Sequence, residues 1–161
     1  MMTTPVLAAV GWAVLLGGAG GALTKIGPWY RGLVKPSWQP PDWLFGPAWT
    51  VILGLAAWAG VKAWNGAPDA TARGHILVLY AVNFVFHIGW TPLFFNARRP
   101  DLALVEVVFL WGSVLAMILG VAPYSSAASW LLVPYISWVT FAAYLNLTIV
   151  RLNPPFSPAR R

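Results

Sequence analysis

Five apolar blocks, each about 20 residues long, divide the chain at 5–23, 44–64, 74–95, 102–121 and 130–150. Coiled at ~1.5 Å per residue, a block of that length crosses a hydrocarbon core of about 30 Å, so each predicts a transmembrane helix. The expected fold is an all-α membrane protein, a five-transmembrane-helix bundle forming a single domain over 1–161. The first block has the length of a secretory leader, but no basic residue precedes it, and it is read as a span. Pro47, Pro92 and Pro134 fall near the ends of their blocks, where a missing N–H costs least.

Most connections are short. The exception, 24–43, reads TKIGPWYRGLVKPSWQPPDW and holds four prolines and three tryptophans. That composition suits neither a spanning helix nor a flexible linker. Two readings fit: a rigid, folded cap over one end of the bundle, or an interfacial loop held by its aromatics.

Composition sharpens this picture. The 161 residues are 59% hydrophobic and 9% charged, against about 25% charged in soluble domains. The net charge of +6 is no nucleic-acid signature, because the cations sit between apolar blocks. Five spans place Lys25, Arg31, Lys35, Arg98, Arg99, Arg151, Arg160 and Arg161 on one side, and only Lys62 and Arg73 on the other. The positive-inside rule then expects the loop 24–43 and the basic tail 154–161 in the cytoplasm and the N-terminus outside. With no cysteine, disulfides and thiolate chemistry are excluded.

Helical spacing places Tyr80, Asn83, His87, Trp90 and Phe94 on one face of the third helix. Polar groups in a bilayer turn toward the protein interior, so this face lines the bundle. Phe45, Trp49, Ile52 and Ala56 form a comparable face on the second helix, and Tyr135, Trp138, Ala142 and Leu145 on the fifth. Together they read as an apolar pocket for a large, flat ligand. The run GGAGG at Gly17–Gly21 fits close helix packing better than a bare pocket wall, though both can hold. Glu106, about one and a half turns into the fourth helix, reads as structural, and desolvation is expected to keep the deeper His87 uncharged. No metal-ligand cluster, nucleophile triad, phosphate loop or paired catalytic carboxylates stand in the sequence.

The segments WYRGLVKPSWQPPDWLFGPAW (29–49), WTPLFFNARR (90–99), LALVE (102–106) and LLVPYISW (131–138), with the LN and RLN pairs up to Asn153, resemble the TspO/MBR family in order and spacing. The resemblance covers nearly the whole chain. It implies a five-helix bundle, usually a homodimer, whose pocket is closed by the first loop. It also implies binding of porphyrins such as protoporphyrin IX and haem, and of sterols and synthetic ligands. Lipid is a further expected partner, and neither an obligatory cofactor nor a metal site is expected.

By position, Phe45, Ala142 and Leu145 match pocket-lining residues of the family, and Trp49 and Trp138 match tryptophans linked to light-dependent porphyrin degradation. The candidate ligand-binding set is Ala19, Trp38, Phe45, Trp49, Asn83, His87, Trp90, Trp138, Ala142 and Leu145, with Arg31 and Lys35 toward ligand carboxylates. Trp49 and Trp138 are catalytic only if photo-oxidation occurs. Three positions depart from the family pattern. His87 replaces an Asn, Val78 and Val82 replace a pair of small residues tied to dimer contact, and Leu147 replaces a tyrosine of a sterol-recognition pattern. The leading expectation is a tetrapyrrole-binding membrane protein acting in porphyrin transport, sensing or disposal. The alternatives are a membrane enzyme for light-dependent porphyrin degradation and a partner-regulating subunit.

Overall fold

A computed structural model describes residues 3–153 together with 155 and 156, and the chain is all-helical over them. Of the basic tail, Arg160 and Arg161 lie outside the described residues. Helix α1 (Thr4–Leu23) starts with Pro5 in its first turn and ends where Thr24 returns its N–H and its hydroxyl to the Gly20 carbonyl. A single helical turn, α2 (Pro28–Arg31), and a 3-10 turn (Asp42–Leu44) give the first loop its shape. Helix α3 (Phe45–Gly66) follows without a break.

Helix α4 (Ala70–Thr91) begins four residues before the apolar block does. The reason is Asp69, whose carboxylate accepts the Ala72 N–H at 2.8 Å and caps a polar first turn. Its other end widens into a π turn (Pro92–Asn96), with the Ala97 N–H reaching the Pro92 carbonyl. A proline cannot donate to the ladder, so the helix loosens there. Arg98 then adopts a left-handed φ of 53°, and the Arg99 guanidinium grips Asp101 in a bidentate pair at 2.6 and 2.8 Å. Helix α5 (Pro100–Val121) leads through a turn to α6 (Ser126–Leu131), which Ser125 caps by accepting the Ala128 N–H. Helix α7 (Val133–Leu152) continues from it past Leu132, so the fifth span also starts four residues early, at Ser126.

Five segments, α1, α3, α4, α5 and α6 with α7, are long and apolar enough to cross a membrane. They close a ring: α1 packs on α3 and α4, α4 on α5, α5 on α7, and α6 and α7 return to α3. The half of the bundle away from the first loop is solid. Ala56, Ala59 and Ala63 of α3 meet Val114, Met117 and Val121 of α5 and Tyr135 and Val139 of α7 in one buried cluster. Small residues bring these backbones close, and in lipid that packing is what holds helices together. The outer surface is apolar as well, with Val14, Val51, Val78, Val82, Val85 and Val108 all exposed, as a lipid-facing surface requires. Glu106 lies against the bare backbone of Gly89, and neither of its carboxyl oxygens has a hydrogen-bond partner among the described residues.

Candidate ligand-binding site

Toward the first loop the bundle opens. A cavity of about 410 Å³ lies among α1, α3, α4, α5 and α7 beneath the loop, within the range typical of small-molecule sites. Its α1 wall is Leu16, Gly17, Gly20, Gly21 and Thr24, one face at helical spacing. A Cβ added at Gly20 or Gly21 would meet no atom within 4 Å, and one at Gly17 would make only ordinary contact with Leu53 at 3.7 Å. The glycine run is therefore mainly a bare cavity wall, and close helix packing explains little of it.

Opposite stand aromatic side chains. Trp49 of α3 and Trp138 of α7 meet edge to face at 6.3 Å, and Phe45 meets Trp138 in the same way at 5.7 Å. Trp90 stacks on Phe94 at 5.0 Å and donates its indole N–H to Asn146, which itself donates to the Pro100 carbonyl. These bonds tie α4, α7 and the start of α5 together behind the wall. Trp138 lies between the cavity and a shallow outer groove of α3 and α7, and its Nε1 is buried without a partner among the described residues.

The floor is a polar chain. Ser113 donates to the Leu110 carbonyl (2.7 Å), the Asn83 amide donates to Ser113 (3.0 Å), and Tyr135 donates to the Asn83 carbonyl oxygen (3.0 Å). His87 Nδ1 stands 2.6 Å from the Tyr135 hydroxyl. Buried polar groups in lipid need such partners, and here the described side chains supply them to one another.

The cap is folded, which decides between the two readings of loop 24–43. The buried Tyr30 donates to Asp42 at 2.9 Å, and Gln39 donates to Tyr30 at 3.2 Å. Burial, reinforced by the Asp42 carboxylate, raises the Tyr30 pKa, so the phenol keeps the proton it donates. Lys35 sits 4.1 Å above the Tyr30 ring. Asn153 clamps the loop from below: its amide accepts the Val34 N–H and donates to the Val34 carbonyl, each at 2.7 Å. Trp38 then stacks on Tyr144 at 5.3 Å, on the outer side of α7.

Seven residues singled out from the sequence line this cavity together: Phe45, Trp49, His87, Trp90, Trp138, Ala142 and Leu145. Five others do not. Ala19 lies off the cavity face of α1, and Asn83 is fully buried in the floor one turn beyond His87. Trp38 packs outside α7, Arg31 is exposed, and Lys35 lies against Tyr30. The cap instead presents Tyr30, Gln39 and Asp42 to the cavity. The glycine wall was visible as a run of small residues; Gln39, Asp42 and Asn153 stand within the motif segments, but their residue types alone do not reveal the bonds they make.

Residues 6–152 match the TspO/MBR family. A tryptophan-rich protein TspO of Chlorobaculum tepidum is 41% identical over 90% of this chain and 93% of its own length. A tryptophan-rich sensory protein of Cereibacter sphaeroides is 37% identical over 83% and 82%. A translocator protein of Sus scrofa is 34% identical over 99% and 98%. With its whole helical bundle covered at these identities, the chain belongs to the TspO/MBR family.

Proposed function

We propose that the chain binds tetrapyrroles, protoporphyrin IX and haem among them, within the membrane and serves their transport, sensing or disposal. The observation that carries this reading is the capped cavity, with flat aromatic side chains on one wall and bare glycine backbone on the other. Such a slot favours a broad, planar, largely apolar molecule over a compact or strongly polar one. The ligand's carboxylates would lie toward the cap end, the end of the bundle that carries Arg31 and Lys35. Titration of the purified protein with protoporphyrin IX, haem and cholesterol, followed by tryptophan quenching, tests it. Saturable one-to-one quenching by both porphyrins is expected, and quenching that never saturates sinks the reading.

The adjacency of Trp49 and Trp138 in the cavity favours a second reading, light-dependent degradation of the bound porphyrin. Under illumination in air, loss of porphyrin absorbance in the wild type and its retention in Trp138→Phe is the result that would favour it.

The cap end carries most of the cations, so we propose that it faces the cytoplasm of a bacterial envelope membrane. A reporter fused after Arg161 should be active only in its cytoplasmic form. Activity of the external form would reverse the orientation.

A further inference from the structure

We propose that His87 is an axial ligand for the metal of a metalloporphyrin, coordinating through Nε2. The proposal rests on the tetrapyrrole reading and adds a metal-binding atom to it. It follows from where the protons in the cavity floor must lie. The Leu110 carbonyl can only accept, so the Ser113 hydroxyl proton points to it and Ser113 Oγ accepts from Asn83. That orients the Asn83 amide with its oxygen toward Tyr135, whose single proton goes there. Tyr135 has no second proton for the 2.6 Å contact with His87, so Nδ1 carries the hydrogen and donates it.

An uncharged imidazole has one N–H, which leaves Nε2 a bare lone pair. A second proton on Nε2 would be a donor facing an apolar cavity without an acceptor, which is costly. Among the described residues Nε2 has no hydrogen-bond partner, and it is not closed off from the cavity that His87 lines, although the residue is only 9% exposed. Trp49 packs edge to face against the ring at 4.7 Å and Tyr135 holds its far side, so the imidazole is fixed. An Nδ1–H held by an oxygen acceptor is the support that orients a ligating histidine and raises its basicity. Histidine is a common axial ligand of haem iron. A role confined to bridging α4 and α7 uses Nδ1 alone and leaves the orientation of Nε2 without a purpose.

The test compares metal-free and metal-containing porphyrins on the same protein. Wild type is expected to bind zinc protoporphyrin at least about tenfold more tightly than protoporphyrin IX. It should also give haem bands characteristic of a nitrogen ligand. In His87→Asn, haem affinity should fall by a larger factor than protoporphyrin IX affinity, and the haem bands should shift. Free imidazole added to His87→Gly should restore those bands. Unchanged haem bands in His87→Asn, or equal affinity of wild type for the zinc and metal-free porphyrins, overturns the ligation. The zinc comparison needs no variant, so a folding defect in His87→Asn leaves the proposal open to refutation. Failure of wild type to bind any porphyrin would instead remove the tetrapyrrole reading, and the ligation with it.

Discussion

Gly20→Phe is expected to weaken porphyrin binding by about 100-fold or more, equivalent to roughly 2.7 kcal/mol. Gly20 faces the cavity from α1, and no atom lies within 4 Å of the position a Cβ would take. A benzyl group therefore enters the open space of a 410 Å³ cavity instead of pressing on a neighbouring helix. The ligand loses its slot while the bundle keeps its packing, so the thermal midpoint in detergent should stay within a few degrees of wild type. Gly18→Phe is the matched control. Gly18 is also free of neighbours within 4 Å, but it is exposed and does not line the cavity. Tryptophan-quenching titrations should show near-normal affinity for Gly18→Phe and a large loss for Gly20→Phe. Equal affinities in the two variants would mean that the ligand sits elsewhere.

The same glycines show where sequence reasoning reaches its limit. A stripe of small residues looks alike whether a helix or a ligand lies against it, because the deciding quantity is the distance to atoms far along the chain. Periodicity did better with direction. Phe45 and Trp49, His87 and Trp90, and Trp138, Ala142 and Leu145 each follow helical spacing, and all seven converge on one cavity. Depth was not legible. Asn83 shares the face of His87, yet one turn, about 5.4 Å, carries it below the floor into the bonds with Ser113 and Tyr135. Nor was the path of the cap. Proline content signals a stiff loop, but only the Asn153 bonds and the Trp38 stack on Tyr144 decide that the loop reaches the outer side of α7, while Trp29 and Tyr30 pack on the π turn.

Helix ends fall between these cases. The apolar blocks mark what lipid must cover, whereas a helix begins where its first amides find an acceptor. Asp69 and Ser125 supply those acceptors outside the blocks, so α4 and α6 start earlier than hydropathy alone suggests. Both residues are ordinary N-cap types and were readable as such. At the other end of α4, Pro92 marked a disturbed helix, but not the π geometry that aims Phe94 and Phe95 at the cavity beneath Tyr30.

Gly66→Val is expected to destabilise the protein by about 1–3 kcal/mol without touching the ligand site. Gly66 is the last residue of α3, at the end of the bundle away from the cap. A Cβ there would overlap the Tyr124 carbonyl oxygen and stand 3.0 Å from its carbon. These are backbone atoms, so no rotamer change relieves the clash, and the turn between α5 and α6 must move. That turn is itself tied down, with the N–H groups of Tyr124 and Ser125 both bonded to the Val121 carbonyl at 3.0 Å. Ser125 also caps α6, whose Ala128 is buried in the same cluster as Ala63 and Ala67 of the α3 end. Displacing the turn thus loosens the contact between α3 and α6, one closure of the helix ring. Thermal unfolding in detergent should show a midpoint lowered by on the order of 5 °C, with porphyrin affinity preserved at low temperature. Gly74→Val provides the comparison, since a Cβ on Gly74 meets nothing within 4 Å and valine there should leave the midpoint nearly unchanged. A Gly66→Val protein that melts with the wild type would show that the two backbones do not approach this closely.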